Sequence, residues 1–70
     1  MEDLLYWDDT FAIARALVGA HPAAAIEQIS LQTIYEWTIA LPDFGDEPAL
    51  VNDAILMAIF TEWVEEVNSL

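Results

Sequence analysis

The stretch Leu41-Pro42-Asp43-Phe44-Gly45-Asp46-Glu47-Pro48 decides how the chain divides. Two prolines and a glycine within these eight residues end any helix arriving from either side, because proline lacks a backbone donor and biases its predecessor away from the helical region. The segment reads as a loop that carries the carboxylates of Asp43, Asp46 and Glu47. Phe44 is the apolar plug expected to fix it to a core.

Outward from the loop, both flanks carry helical periodicity. On the C-terminal side Ile55, Ile59 and Trp63 recur at intervals of four, flanked by Leu56, Phe60 and Val67, which makes the widest apolar face in the chain. Its start has two solutions: Asp46 can cap a helix with Pro48 in its first turn, or Asn52 can cap a shorter one beginning at Asp53. Glu62, Glu65 and Glu66 fall near its end, where the helix dipole disfavours negative charge, and so point to a use other than helix stability. On the N-terminal side, Ile34, Trp37, Thr38 and Leu41 share one face of a helix that reaches about residue 41. Ser30 or Thr33 offers its cap, with Thr33 and Glu36 at capping-box spacing. Trp37 is expected in the core with its indole donor at the rim.

A further helix is expected over residues 11–20. Asp9 or Thr10 can cap it, Asp8 and Asp9 sit favourably near its positive end, and His21-Pro22 closes it, with His21 as C-terminal cap or dipole partner. Ile13, Ala16, Leu17 and Ala20 give the buried face. Phe11, Ala14 and Val18 form a second apolar stripe, either additional core or a contact surface. Residues 2–6 read as a short lead-in, and residues 23–27 as a connection with at most one helical turn. The expected architecture is a single domain over residues 1–70, all-α, with three helices around Trp37 and Trp63.

Composition bounds the function. Seventy residues make one small core, and a hydrophobic content of 57% is far from that of a disordered acidic chain. Without cysteine the chain offers no disulfide, no thiolate zinc site, no cysteine-ligated cluster and no cysteine nucleophile. The acidic start Met1-Glu2-Asp3 lacks signal-peptide order, and no apolar run approaches the roughly 18 residues of a membrane span, so the cytoplasm is the expected location. No catalytic constellation or phosphate loop is recognisable, which predicts a non-enzyme with no tightly bound cofactor.

Thirteen Asp and Glu against the single Arg15 give a formal net charge of −12. Nucleic acid and anionic membranes repel such a chain, since binding to phosphates draws on Lys and Arg. A basic protein surface or a hard cation gains from the same field.

From Leu5 to Glu66 the chain resembles, without gaps, the small acidic IscX proteins of iron–sulfur cluster assembly. The matching residues are Trp7-x-Asp9, then Ile13-x-x-Ala16-Leu17-x-x-Ala20-x-Pro22, then Trp37. They continue with Leu41-x-Asp43-Phe44-x-Asp46-x-Pro48, Asn52, and Ile55-Leu56-x-Ala58-Ile59 to Trp63, with two carboxylates following. The resemblance implies a modified winged-helix fold and a non-enzymatic adaptor that docks its acidic surface on a basic patch of the cysteine desulfurase IscS; the chain is expected to be a monomer. The resemblance further implies modulation of assembly on the scaffold IscU, and weak ferrous iron (Fe2+) binding through exposed carboxylates, here Asp43, Asp46 and Glu47. The docking residues expected are Asp43, Asp46, Glu47, Glu65 and Glu66. This chain departs from the pattern at Gly45, which interrupts the family's Asp run, at Ala23 and Ala25, which replace acidic residues, and at Arg15. Phe11, Val18 and Thr61 also change the surface. A second reading makes the chain a generic acidic helical interaction module that self-associates or binds a partner helix through the stripe of Phe11 and Val18.

Overall fold

The computed structural model describes residues 4–68, so the acidic start at residues 1–3 lies outside it. Three α-helices follow one another: α1 (Thr10–Ala20), α2 (Leu31–Ile39) and α3 (Asp53–Asn68), with single 3₁₀ turns at Ile26–Gln28 and Pro48–Leu50. α3 is the axis of the fold. α1 packs on it most extensively, α2 packs on it less, and α1 and α2 barely meet.

Local chemistry sets each boundary. Ser30 caps α2, its Oγ accepting from Thr33 N–H at 3.2 Å. The capping box expected at Thr33 and Glu36 does not form: Ser30 holds the cap position, and Glu36 instead accepts from Gln32 Nε2 at 3.1 Å. Asn52 caps α3 by accepting from Ile55 N–H at 2.9 Å. Pro48 opens its own short turn, in which Leu50 N–H reaches Glu47 O at 3.1 Å, so both candidate starts mark real features and only the later one begins α3. α1 ends where His21 N–H bonds Leu17 O at 2.9 Å and Pro22 follows. No helix among the described residues is long and apolar enough to cross a membrane.

The core is one layer thick in a slab of 29 × 27 × 16 Å. Ile13, Ala14 and Leu17 of α1, Ile34 of α2, and Leu56, Ile59 and Trp63 of α3 are buried in it, together with Trp7 from ahead of α1. Thr38, the buried polar side chain, satisfies its hydroxyl by donating to Ile34 O at 2.7 Å. Ala14 and Val18 of the second stripe on α1 therefore pack inward, while Phe11 remains 51% exposed. Trp37 is not a core residue: it is half-buried and stacks on His21, with ring centroids 3.7 Å apart and planes 7° from parallel. The core tryptophans are Trp7 and Trp63, at 2% and 0% exposure.

No strand forms among the described residues, where the one β-type pairing is an isolated parallel bridge between Leu5 and Phe44. The hairpin wing of a winged-helix domain has no counterpart there.

Candidate functional site

The loop over residues 41–48 owes its shape to the residues ahead of α1. Phe44 N–H bonds Leu41 O at 3.1 Å and closes the first turn after α2. Leu5 then lies alongside: its N–H donates to Asp43 O at 2.8 Å, and Gly45 N–H donates to Leu5 O at 2.9 Å. Along this strap the side chains alternate as on a strand. Leu5 and Trp7 face the core, whereas Leu4 and Tyr6 are exposed.

Trp7 makes the deepest contact. Its backbone N–H donates to Asp46 Oδ2 at 3.0 Å, and its indole Nε1–H donates to Glu47 O at 2.8 Å. Its ring meets Phe44 edge-on, at 4.9 Å between centroids and 64° between planes, and lies nearly parallel to Tyr35 of α2 at 6.2 Å. The second Asp46 oxygen, Oδ1, accepts from Glu47 N–H at 2.7 Å. Phe44 is the plug its position suggested, half-buried against the core.

The acidic residues of the loop therefore divide. Asp43 and Glu47 are exposed. Asp46 is half-buried, with both carboxylate oxygens accepting from backbone amides. The strap also carries Asp8 and Asp9 to this end of the molecule, since they directly follow the residue bonded to Asp46 and Glu47. Asp9 occupies the N-cap position of α1 but makes no side-chain capping bond. Its Oδ2 instead accepts from Tyr6 N–H at 3.3 Å. The sequence assigns Asp9 to the helix cap and both aspartates to the helix dipole, and only the Trp7-x-Asp9 spacing sets them beside Trp7.

Glu65 and Glu66 stand apart, on the last turns of α3. Glu65 is exposed, and Glu66 is half-buried with an interaction of its own. On α1 the Arg15 guanidinium lies over the Phe11 ring, 5.8 Å from its centroid, so the exposed aromatic is partly shielded by the chain's single cation.

A resident metal would need several oxygen ligands converging with fixed geometry. Among the described residues no group of three His, Asp or Glu side chains is placed to hold one. With Asp46 already accepting two amide protons, Asp43, Asp46 and Glu47 do not fit a resident iron site.

The family model for iron–sulphur cluster assembly matches residues 5–68. An uncharacterized protein of Pseudomonas aeruginosa is 31% identical over 62 residues, which cover 89% of this chain and 94% of that relative. The chain belongs to this family, the IscX family, and its membership supports a role in iron–sulfur cluster assembly.

Proposed function

We propose that this member of the iron–sulphur cluster assembly family is a non-enzymatic, monomeric, cytoplasmic adaptor that docks its acidic edge on a basic patch of the cysteine desulfurase IscS. Through that complex it modulates cluster building on the scaffold IscU. The observation that carries the reading is the exposure of Asp43 and Glu47 on a loop whose backbone is bonded to a second segment of chain. Carboxylates held out in this way on a body of net charge −12 set a local field that steers a basic partner and fixes its orientation.

Asp43 and Glu47 make the direct contacts, and Glu65 and Glu66 on α3 add a second acidic contact away from the loop. Asp46 adds charge to the edge while its oxygens hold the loop. Ferrous iron meets this edge only as a loosely held, solvated cation, because chelation by fixed ligands is not what the loop is built for. Apolar contact through α1 is the weaker alternative, since Val18 packs against the core and Phe11 is left alone beneath Arg15.

The test is titration of the purified chain against the desulfurase at low and high salt, with the double reversal D43K/E47K beside it. The expected result is a complex at low salt that weakens as salt rises, and a loss of about tenfold or more in affinity on reversal. No complex at low salt, or a complex indifferent to the reversal, overturns the proposal.

A further inference from the structure

We infer that the strap over residues 4–7 is the positioning device of the acidic edge, with Trp7 as its latch and Asp46 as its clasp rather than as a contact to the partner. The inference rests on the docking reading above. Trp7 is 2% exposed and Asp46 half-buried, so neither presents its main surface outward. What they do is fix the loop at successive points: the strap bonds Asp43 O and Gly45 N–H through Leu5, the Asp46 carboxylate through Trp7 N–H, and Glu47 O through the Trp7 indole.

The two exposed carboxylates, Asp43 and Glu47, stand at either end of that run of bonds. Their spacing is thus set by a segment some 39 or 40 residues away in sequence. A loop with two prolines and a glycine, bearing like charges, has no helix or sheet ladder of its own to hold those carboxylates still. Once latched, it meets a partner without ordering at the moment of contact, and that ordering is what otherwise lowers affinity.

Trp7 and Asp46 are positioning residues in this scheme, and W7F isolates the role. Phenylalanine keeps an aromatic ring between Phe44 and Tyr35 but has no donor for Glu47 O. In a W7F chain that retains helical circular dichroism, exchange of the Gly45 amide should speed up by about two- to tenfold, the equivalent of one net hydrogen bond. Desulfurase affinity measured well below the melting temperature should fall, with the loss in the off-rate. D46N repeats the test from the other side: an amide keeps one acceptor oxygen where the carboxylate uses two, and leaves the Trp7 ring untouched. Should W7F not fold, D46N carries the exchange arm, and its affinity is judged against D43N, which removes the same charge without touching the bonds to Trp7 and should cost less.

A purely structural Trp7 would lower the melting temperature and leave affinity at low temperature unchanged, and that result overturns the inference. Unaltered Gly45 exchange in both variants refutes the latch itself, whatever the binding shows. Failure of the unmodified chain to bind the desulfurase instead overturns the docking reading, and with it the claim that the latch serves docking, while the exchange arm still decides whether a latch exists.

Discussion

Gly45 sits between the loop carboxylates Asp43 and Asp46, and the structure gives a steric reason for a residue without a side chain there. A Cβ built on Gly45 would lie 2.7 Å from Leu4 Cδ1, 2.8 Å from Leu4 Cβ and 3.1 Å from Leu4 Cγ. Rotating the leucine side chain relieves the first and third contacts. It cannot relieve the second, because Cβ moves only with the backbone of residue 4. A side chain at position 45 therefore pushes the strap away and strains the two bonds next to it, Leu5 N–H to Asp43 O and Gly45 N–H to Leu5 O.

At about 0.5–1.5 kcal/mol net for each bond, their loss costs about 1–3 kcal/mol. For a domain of this size that lowers the melting temperature by something on the order of 5–20 °C. The decisive variant is G45A, which adds the Cβ without adding charge. Gly45 has a negative φ, so in open space alanine would stabilise by about 0.4–1 kcal/mol through the unfolded chain. The sign of the change therefore reports the contact. Thermal melts of G45A, G45D and the doubles with L4A and L4G complete a cycle in which L4G restores most of the loss and L4A, which keeps its Cβ, restores little. Any deficit of G45D beyond G45A is repulsion on a chain already at −12 and should shrink in salt. Stabilisation by G45A, or equal melting of G45A alone and with L4G, would refute the reasoning.

Three other substitutions follow from the packing. W63F should cost about 1–3 kcal/mol less than W7F in urea unfolding, although each makes the same indole-to-phenyl change: Trp63 is fully buried with its Nε1 unpartnered, whereas the Trp7 donor is bonded. H21A should remove about 0.5–1.5 kcal/mol of aromatic stacking and shift the emission of the uncovered Trp37 to longer wavelength, and an unchanged spectrum would argue against the stack. N52A should destabilise by about 0.5–2 kcal/mol through loss of the α3 cap, while desulfurase affinity at low temperature stays at the level of the unmodified chain.

What the sequence disclosed and what it concealed separate by range along the chain. Helical period places α1, α2 and α3 because residues three and four apart share a face whatever the tertiary structure does. Ser30 and Asn52 were visible as caps for the same reason, each reaching an amide three residues on. Leu5-Tyr6-Trp7 is too short to display any period, and its pairing partner lies 39 residues later, so the strap could not be read. The exchange of Trp37 for Trp7 in the core has a related cause. Period assigns Trp37 to the inner face of α2, but a slab 16 Å thick has a single layer to fill. On α2 that layer takes Ile34 and Thr38, one turn apart and fully buried, while Trp37 lies half-buried at the flank of the face, where His21 covers it. Of the candidate site, the exposure of Asp43 and Glu47 followed from the loop, while the inward use of Asp46 depended on a donor that no local pattern announces.

That division changes how acidic residues in such a loop should be tested. Reversing Asp46 to lysine removes a negative charge and at the same time two acceptors for backbone amides, one of them the amide of a core tryptophan. A loss of binding in that variant cannot be assigned to electrostatics, because a displaced loop also misplaces Asp43 and Glu47. Salt separates the two causes. Lost steering leaves a weaker salt dependence with normal melting, whereas a released clasp leaves the remaining charges, and so most of the salt dependence, with lowered melting and faster exchange at Gly45. Asp43 and Glu47, which are exposed, are the positions at which charge can be altered with the latch intact, and a contrast between their reversal and W7F, which loosens the latch without changing any charge, measures how much of the docking is field and how much is shape.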